Sequence, residues 1–259
     1  MLPLIYIGSV SIPSYGLCMA TGIVTACTIA FLRVKRRGGN FDALLMIAAV
    51  AMAFGLTGAK VSYYIFSYGI DRLFLEVFSG DFSAFSSTGL VFYGGLIGGI
   101  IGALIAIKAN QYDLDLYATS IIPCIPLGHA FGRIGCLLAG CCYGLHYEGL
   151  FAIHSSYADP SETLFPIQAI ESLLNVFLYL YLVIYTRKNH NGLITLAVYI
   201  VCYSVARFIL EFFRGDLIRG IYLGFSTSQW ISAFLVFVGA IVIALSKRGK
   251  LHASASASN

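Results

Sequence analysis

Charge is what this chain lacks. Asp, Glu, Lys and Arg make up only 11% of its 259 residues, against roughly 25% in soluble domains. So few charges cannot cover a water-facing surface, which excludes an ordinary cytosolic enzyme. A net charge of +4 offers no broad electrostatic footprint for nucleic acid. A hydrophobic share of 59% excludes a disordered chain. The amino terminus has neither a basic start nor a small-residue cleavage pattern, so no cleavable signal peptide is expected. No clean internal repeat and no soluble domain are visible. What is present is apolar length: mean hydropathy is +0.85, and the solvent that suits such a chain is lipid. Twenty-seven glycines suit helices that approach closely.

A membrane span needs roughly 20 mostly apolar residues. Seven such stretches are expected, at about 15–33, 43–66, 90–107, 117–139, 167–185, 192–212 and 227–246. The fold class expected is therefore an all-α integral membrane protein, with about seven helices around a lipid-accessible cavity. Residues 1–252 form the polytopic membrane domain, and the Ala-Ser repeat of 253–259 is expected to be a disordered tail. If the spans alternate, Arg33, Lys35, Arg36, Arg37, Lys108, Arg187, Lys188, Lys247, Arg248 and Lys250 share one side, while Arg72, Arg214 and Arg219 lie on the other. Cytoplasmic loops carry the excess of Lys and Arg, which predicts the amino terminus outside and the carboxy terminus inside.

Three basic residues, Lys60, Arg133 and Arg207, fall inside spans. A charge at a helix centre costs about 2.5–3.5 kcal/mol on insertion scales. Arg133, Arg207, Glu171 and Glu211 must therefore face protein or a water-filled cavity. Two readings stand. In one they are interhelical or local ion pairs, such as Arg207 with Glu211 at i,i+4. In the other they form an anion site, for which the planar, permanently charged guanidinium suits phosphate. Arginines near the outer leaflet suggest a phospholipid headgroup. Arg133 sits between two glycines in His129-Ala-Phe-Gly-Arg-Ile-Gly-Cys136. Tyr203, Arg207, Glu211 and Arg214 are spaced as one helical stripe. Pro166, Gln168 and Glu171 open the fifth span. Tyr93, in Phe92-Tyr-Gly-Gly-Leu-Ile-Gly-Gly99, is either an interfacial-belt tyrosine or part of the same site.

Of the seven cysteines, Cys18, Cys27 and Cys202 lie in apolar runs and read as small hydrophobes. Cys136, Cys141 and Cys142 cluster after Arg133. They read as packing residues, as a disulfide on the oxidising outer side, or as groups with a chemical role. No His-x-Cys or Cys-x-x-Cys spacing is present, so no metal is expected. His129 and His146 read as satisfied polar residues.

Together these segments resemble the bacterial prolipoprotein diacylglyceryl transferase family, from Tyr15-Gly16 to the region of Ser226–Gln229. The family's Gly-Arg-x-Gly signature looks like Gly132 to Gly135. Its His-Pro-x-Gln-x-x-Glu element looks like Phe165 to Glu171. Its Tyr-x-x-x-Arg-Phe-x-x-Glu-x-x-Arg element is similar to Tyr203 to Arg214, and its His-Gly-Gly-Leu-Ile-Gly element to Tyr93 to Gly98. The chain departs from the family in having Tyr93 for a common histidine. It also has Gly135-Cys-Leu-Leu-Ala-Gly-Cys141 where the family has Gly-Asn-Phe-Ile-Asn-Gly-Glu.

The resemblance implies a multi-pass enzyme of the bacterial plasma membrane, without cofactor. Such an enzyme moves the diacylglyceryl group of phosphatidylglycerol to the lipobox cysteine thiol in the signal peptide of a secreted prolipoprotein, releasing glycerol phosphate. Arg133 and Arg207 would take the phosphate, with Arg214 in support. Tyr203 and Gln168 would orient the glycerol, Glu171 and Glu211 would hold the arginines, and Tyr93 is the candidate base. Two other readings stay open: a paralogue using the same lipid with another acceptor, and a phospholipid-binding membrane protein without catalysis.

Overall fold

A computed structural model describes residues 2–8, 10–70, 91–155, 157–159, 161–188, 191–215 and 221–256. Arg72, Arg219 and residues 257–259 lie outside them, as do the side chains of Tyr93, Lys247, Arg248 and Lys250. The chain is predominantly helical. A short hairpin comes first, β1 (Leu4–Ile7) pairing antiparallel with β2 (Val10–Pro13). Then follow α1 (Ser14–Arg36), α2 (Phe41–Tyr68), α3 (Phe92–Ala109), α4 (Leu114–Ile121), α5 (Cys124–Ala139), α6 (Ile167–Lys188) and α7 (Gly192–Glu211). A two-residue-per-strand hairpin, β3 (Ile221–Tyr222) and β4 (Phe225–Ser226), leads into α8 (Thr227–Ser256). Six helical stretches are long and apolar enough to cross a membrane, counting Leu114–Ala139 as one. The 18-residue α3 takes the place of the third expected span.

The expected fourth span is not one continuous helix. Pro123 has no N–H to bond Thr119 O, so the helix breaks between α4 and α5 and leaves carbonyls open. In lipid those carbonyls must be satisfied by protein, and Arg33 does this. Its Nε donates to Ser120 O at 3.0 Å, and its Nη2 to Thr119 O at 2.9 Å and Thr186 Oγ1 at 2.8 Å. A residue that the sequence assigns to the cytoplasmic charge excess thus also seals a helix break.

The chain divides into two compact units. One is Val34–Tyr117 and the other combines Met1–Arg33 with Ala118–Asn259. In the first, α2 packs along α3 with backbones in contact. A Cβ on Gly94 would strike Gly58 O and Ser62 Oγ, and one on Gly98 would strike Phe54 O. A Cβ on Gly102 would come within 2.7 Å of Val50 O. The four-residue spacing of these glycines presents one smooth face to the partner helix. Asn40 caps α2, its Oδ1 accepting from Asp42 N at 2.9 Å, and Tyr117 Oη bonds the Asn40 backbone.

In the second unit α5 packs on α6, α6 on α7, and α7 on α8. The loop between α5 and α6 is stitched into this unit by main-chain bonds. Gly144 N donates to Phe165 O, Leu145 N to Phe213 O, and Gly215 N to Tyr143 O. A Cβ on Gly144 would meet Phe165 O at 2.6 Å and Phe213 O at 2.9 Å, so only glycine lets three strands of backbone meet there. This junction joins the end of α5, the start of α6 and the end of α7.

Candidate active site

The polar residues of α5, α6 and α7 converge. Arg133 Nη2 lies 2.9 Å from Glu171 Oε1, linking α5 to α6. The guanidinium's Nε donates to His129 Nε2 one turn earlier at 3.2 Å, so the His129 ring proton resides on Nδ1. The His129 ring stands 5.4 Å from that of Tyr203, which brings α7 into the same group. Arg207 pairs with Glu211 at 2.6 Å along α7. Glu211 is anchored in turn, its Oε1 accepting from Ser226 Oγ at 2.8 Å. Ser226 and Gln229 form a reciprocal cap at the start of α8: Gln229 N donates to Ser226 Oγ at 3.2 Å, and Ser226 N to Gln229 Oε1 at 2.9 Å. Gln168 Nε2 donates to Cys141 O at 2.7 Å. Asn175 Nδ2 donates to Glu171 O at 2.8 Å, and Ser172 Oγ to Ala130 O at 3.0 Å.

These residues are buried, and their hydrogen-bonding capacity is only partly used. Among the described residues, Arg207 Nη1 finds no acceptor, and Gln168 Oε1, Glu171 Oε2 and Asn175 Oδ1 find no donor. Buried polar atoms are normally paired. A cluster that leaves a cationic donor and several acceptors open suits a ligand carrying both anionic oxygens and hydroxyls.

A cavity of about 320 Å³ reaches this cluster. Glu171, Asn175, Tyr203 and Arg207 line it, as do Leu174, Phe177, Leu178 and Tyr181 on α6. Glu171 and Arg207 are deeply buried, whereas Phe177 is 63% and Tyr181 48% exposed on a spanning helix. The slot therefore grades from a charged interior to an apolar surface that faces lipid.

Arg214 is buried in the backbone junction, where its residue bridges Gly144. Its guanidinium hydrogen-bonds the Cys142 thiol. A hydrogen bond from Cys136, with the charges of Arg214 and Arg133, holds the Cys142 thiol below the usual range, against the effect of burial. Burial pushes the neighbouring Cys141 thiol up. The Sγ atoms of Cys136, Cys141 and Cys142 all lie within 4.8 Å of one another, and the three are free thiols. Sequence spacing did not reveal this convergence. It arises because Gly140, at φ +83°, ends α5 and Cys142, at φ +60°, turns the chain back over the last helical turn.

Of the residues expected from the sequence, Arg133, Gln168, Glu171, Tyr203, Arg207, Glu211 and Arg214 belong to this one unit and line or brace the cluster. Of the two readings of the arginines, the ion pairs are present, Arg133 with Glu171 and Arg207 with Glu211, and Arg207 also lines the cavity. Tyr93 is the second residue of α3, in the other unit. The sequence reading missed His129, Asn175, Ser226 and Gln229 as members. Helical spacing was the available signal: His129 precedes Arg133 by one turn, and Asn175 follows Glu171 by one turn.

The sequence profile of the prolipoprotein diacylglyceryl transferase family matches residues 3–245. The phosphatidylglycerol–prolipoprotein diacylglyceryl transferase 2 of Clostridium perfringens is 33% identical over 237 residues, which cover 90% of this chain and 91% of that protein. The phosphatidylglycerol–prolipoprotein diacylglyceryl transferase of Clostridium tetani is 34% identical over 233 residues, 88% of this chain and 90% of that one. A third, from Dehalococcoides mccartyi strain BAV1 and named likewise, is 30% identical over 239 residues, 90% and 88% respectively. With a match that spans nearly the whole chain, and a buried arginine cluster at its centre, this multi-pass membrane protein belongs to the prolipoprotein diacylglyceryl transferase family.

Proposed function

We infer that this protein is a transferase of the bacterial plasma membrane, moving the diacylglyceryl group of phosphatidylglycerol to the thiol of a prolipoprotein cysteine. One observation carries the reading. The slot between α6 and α7 joins a lipid-facing apolar mouth to buried guanidinium, carboxylate and amide groups with open hydrogen-bonding capacity. A phospholipid with a glycerol headgroup supplies acyl chains for the mouth, phosphate oxygens for Arg207 Nη1, and hydroxyls for Gln168 Oε1 and Asn175 Oδ1.

The chemistry is displacement at an sp³ carbon. The acceptor sulfur forms a bond to the glyceryl carbon, and the bond from that carbon to phosphate oxygen breaks. The electron pair leaves with glycerol phosphate, and the thiol proton goes to solvent or base. Arg133 and Arg207 are assigned to the phosphate, where fixed positive charge in a water-poor site stabilises the leaving group. Glu171 and Glu211 position these arginines. Tyr203 and Gln168 orient the glycerol, and Arg214 supports the cluster through Cys142. The attacking species is a thiolate. Its proton has two proposed routes: uptake by Tyr93, or direct loss from a thiol acidified by the arginines. Tyr93→Phe separates them, because only the first route loses most of its rate. The lipobox of a signal peptide, with the active face outward, completes the proposal.

The test is direct. Purified protein is incubated with phosphatidylglycerol and a lipobox-bearing peptide, and the thioether product and released glycerol phosphate are measured. Lipid binding without either product would overturn the reading and favour a non-catalytic lipid-binding role. Glycerol phosphate release with no peptide product, restored by another thiol, would favour a different acceptor.

A further inference from the structure

We propose that Cys136, Cys141 and Cys142 form a three-sulfur site for a thiophilic, low-coordinate cation, with Cu(I) as its reference ion. Among the described residues this is the one group of three His, Cys, Asp or Glu side chains so converged, its sulfurs all within 4.8 Å of one another. With metal–sulfur bonds of about 2.3 Å, three sulfurs around one ion stand about 4 Å apart, so closure needs side-chain rotation rather than a backbone rearrangement. Cys136 is fixed by the last turn of α5. Cys141 is fixed by its N–H, which bonds Cys136 O at 3.1 Å. Cys142 is aimed by its left-handed backbone, a conformation costly for a residue with a Cβ.

The donor set selects the ion. Three thiolates and no oxygen donor favour a soft cation. Among the described residues no His, Asp or Glu joins the three sulfurs as a fourth ligand. That disfavours the four-coordinate geometry of structural zinc. Charge agrees as well. Three thiolates with a monovalent ion carry −2, and two guanidiniums face the cluster: Arg133 interacts with Cys136 and Cys142, and Arg214 hydrogen-bonds Cys142. On binding, each S–H still present gives its proton to solvent and one metal–sulfur bond forms per cysteine, with no change of oxidation state. The site stands independently of the acceptor proposed above.

The full-length protein in detergent, under anaerobic conditions with ascorbate, is titrated with Cu(I) against a chromophoric Cu(I) chelator. One equivalent should bind, with a sulfur-to-copper charge-transfer band. Cys136→Ser and, separately, Cys141→Ser in the loop should each weaken binding by more than the roughly 10–100-fold typical of losing a residue that only braces a ligand. Cys27→Ser, on the exposed face of α1, should leave it unchanged. Failure to retain one equivalent while all seven thiols titrate as free would overturn the site. So would binding that survives both serine variants, or Zn(II) binding as tightly as Cu(I).

Discussion

The two units solve the same problem differently. Lipid tails are as apolar as the helices they surround, so burying leucine against leucine gains little there, and association rests on close packing or polar bonds. In Val34–Tyr117, α2 and α3 use the first route, with glycines at 94, 98 and 102 pressed onto the backbone of Phe54, Gly58 and Val50. In the other unit, α5, α6 and α7 are linked by side chains: Arg133 to Glu171, Ser172 to Ala130 O, and the His129 ring tilted against that of Tyr203. Backbone contact leaves no room for a ligand. The unit joined by polar links contains a cavity of about 320 Å³ between α6 and α7. A scaffold and a site thus differ in what stands between the helices.

The sharpest way to break this comparison is to remove the charges without removing the packing. Arg207→Ala or Arg133→Ala should lower transfer by at least the roughly 10²–10³-fold typical of losing one group that stabilises developing charge. Each leaves a buried carboxylate exposed to an apolar setting, which destabilises by about 3–5 kcal/mol. The double substitution Arg207→Met with Glu211→Leu restores an uncharged interior of similar volume. It should recover thermal stability in detergent while remaining inactive. Near-normal glycerol phosphate release from that variant would make the pair a helix strut and nothing more.

The converse test lies in the other unit. Gly98→Val drives a side chain into Phe54 O and should cost on the order of 1–3 kcal/mol through overpacking, read as a lower melting temperature. Gly16→Ala, where a Cβ would meet nothing within 4 Å, should be silent. Arg33→Met should cost about 1–3 kcal/mol by stripping the donors from Thr119 O and Ser120 O. Since Arg33 also belongs to the basic side expected to face the cytoplasm, reporter fusions should show unchanged orientation, leaving the helix break as the source of the loss.

How much of this was legible beforehand follows the physics. Apolar length located the six helical stretches long enough to cross a membrane and the shorter apolar α3, because that signal is local and summed over many residues. The break at Pro123 was legible in principle, but its repair by Arg33 was not, since the partners are more than 80 residues apart in sequence. Arg133, Glu171, Arg207 and Glu211 stood out because charge in a span demands an explanation. His129, Asn175 and Ser226 did not, because a neutral polar residue is compatible with many surroundings. The three cysteines stood out as close in sequence, but the convergence of their sulfurs depends on a turn, the left-handed conformations of Gly140 and Cys142, which spacing rules do not encode.

The smallest effect tests whether the charged links depend on their outer supports. Ser226 does two things, capping α8 through Gln229 and donating to Glu211 Oε1. Loss of a cap costs about 1 kcal/mol. Gln229→Ala removes the acceptor of the Ser226 N–H, whereas Ser226→Ala removes the acceptor of the Gln229 N–H and also the brace on Glu211. If Glu211 must be braced to aim Arg207, Ser226→Ala should melt somewhat lower than Gln229→Ala and should alone be slowed in transfer at temperatures where both variants stay folded. Lipid binding should weaken in parallel with rate in Ser226→Ala, because Arg207 is proposed to meet the phosphate in the bound lipid as well as during its departure. Equal activity in both variants would show that the Arg207–Glu211 pair, at 2.6 Å along one helix, aims itself, and that the contact from α8 serves only to start its own helix.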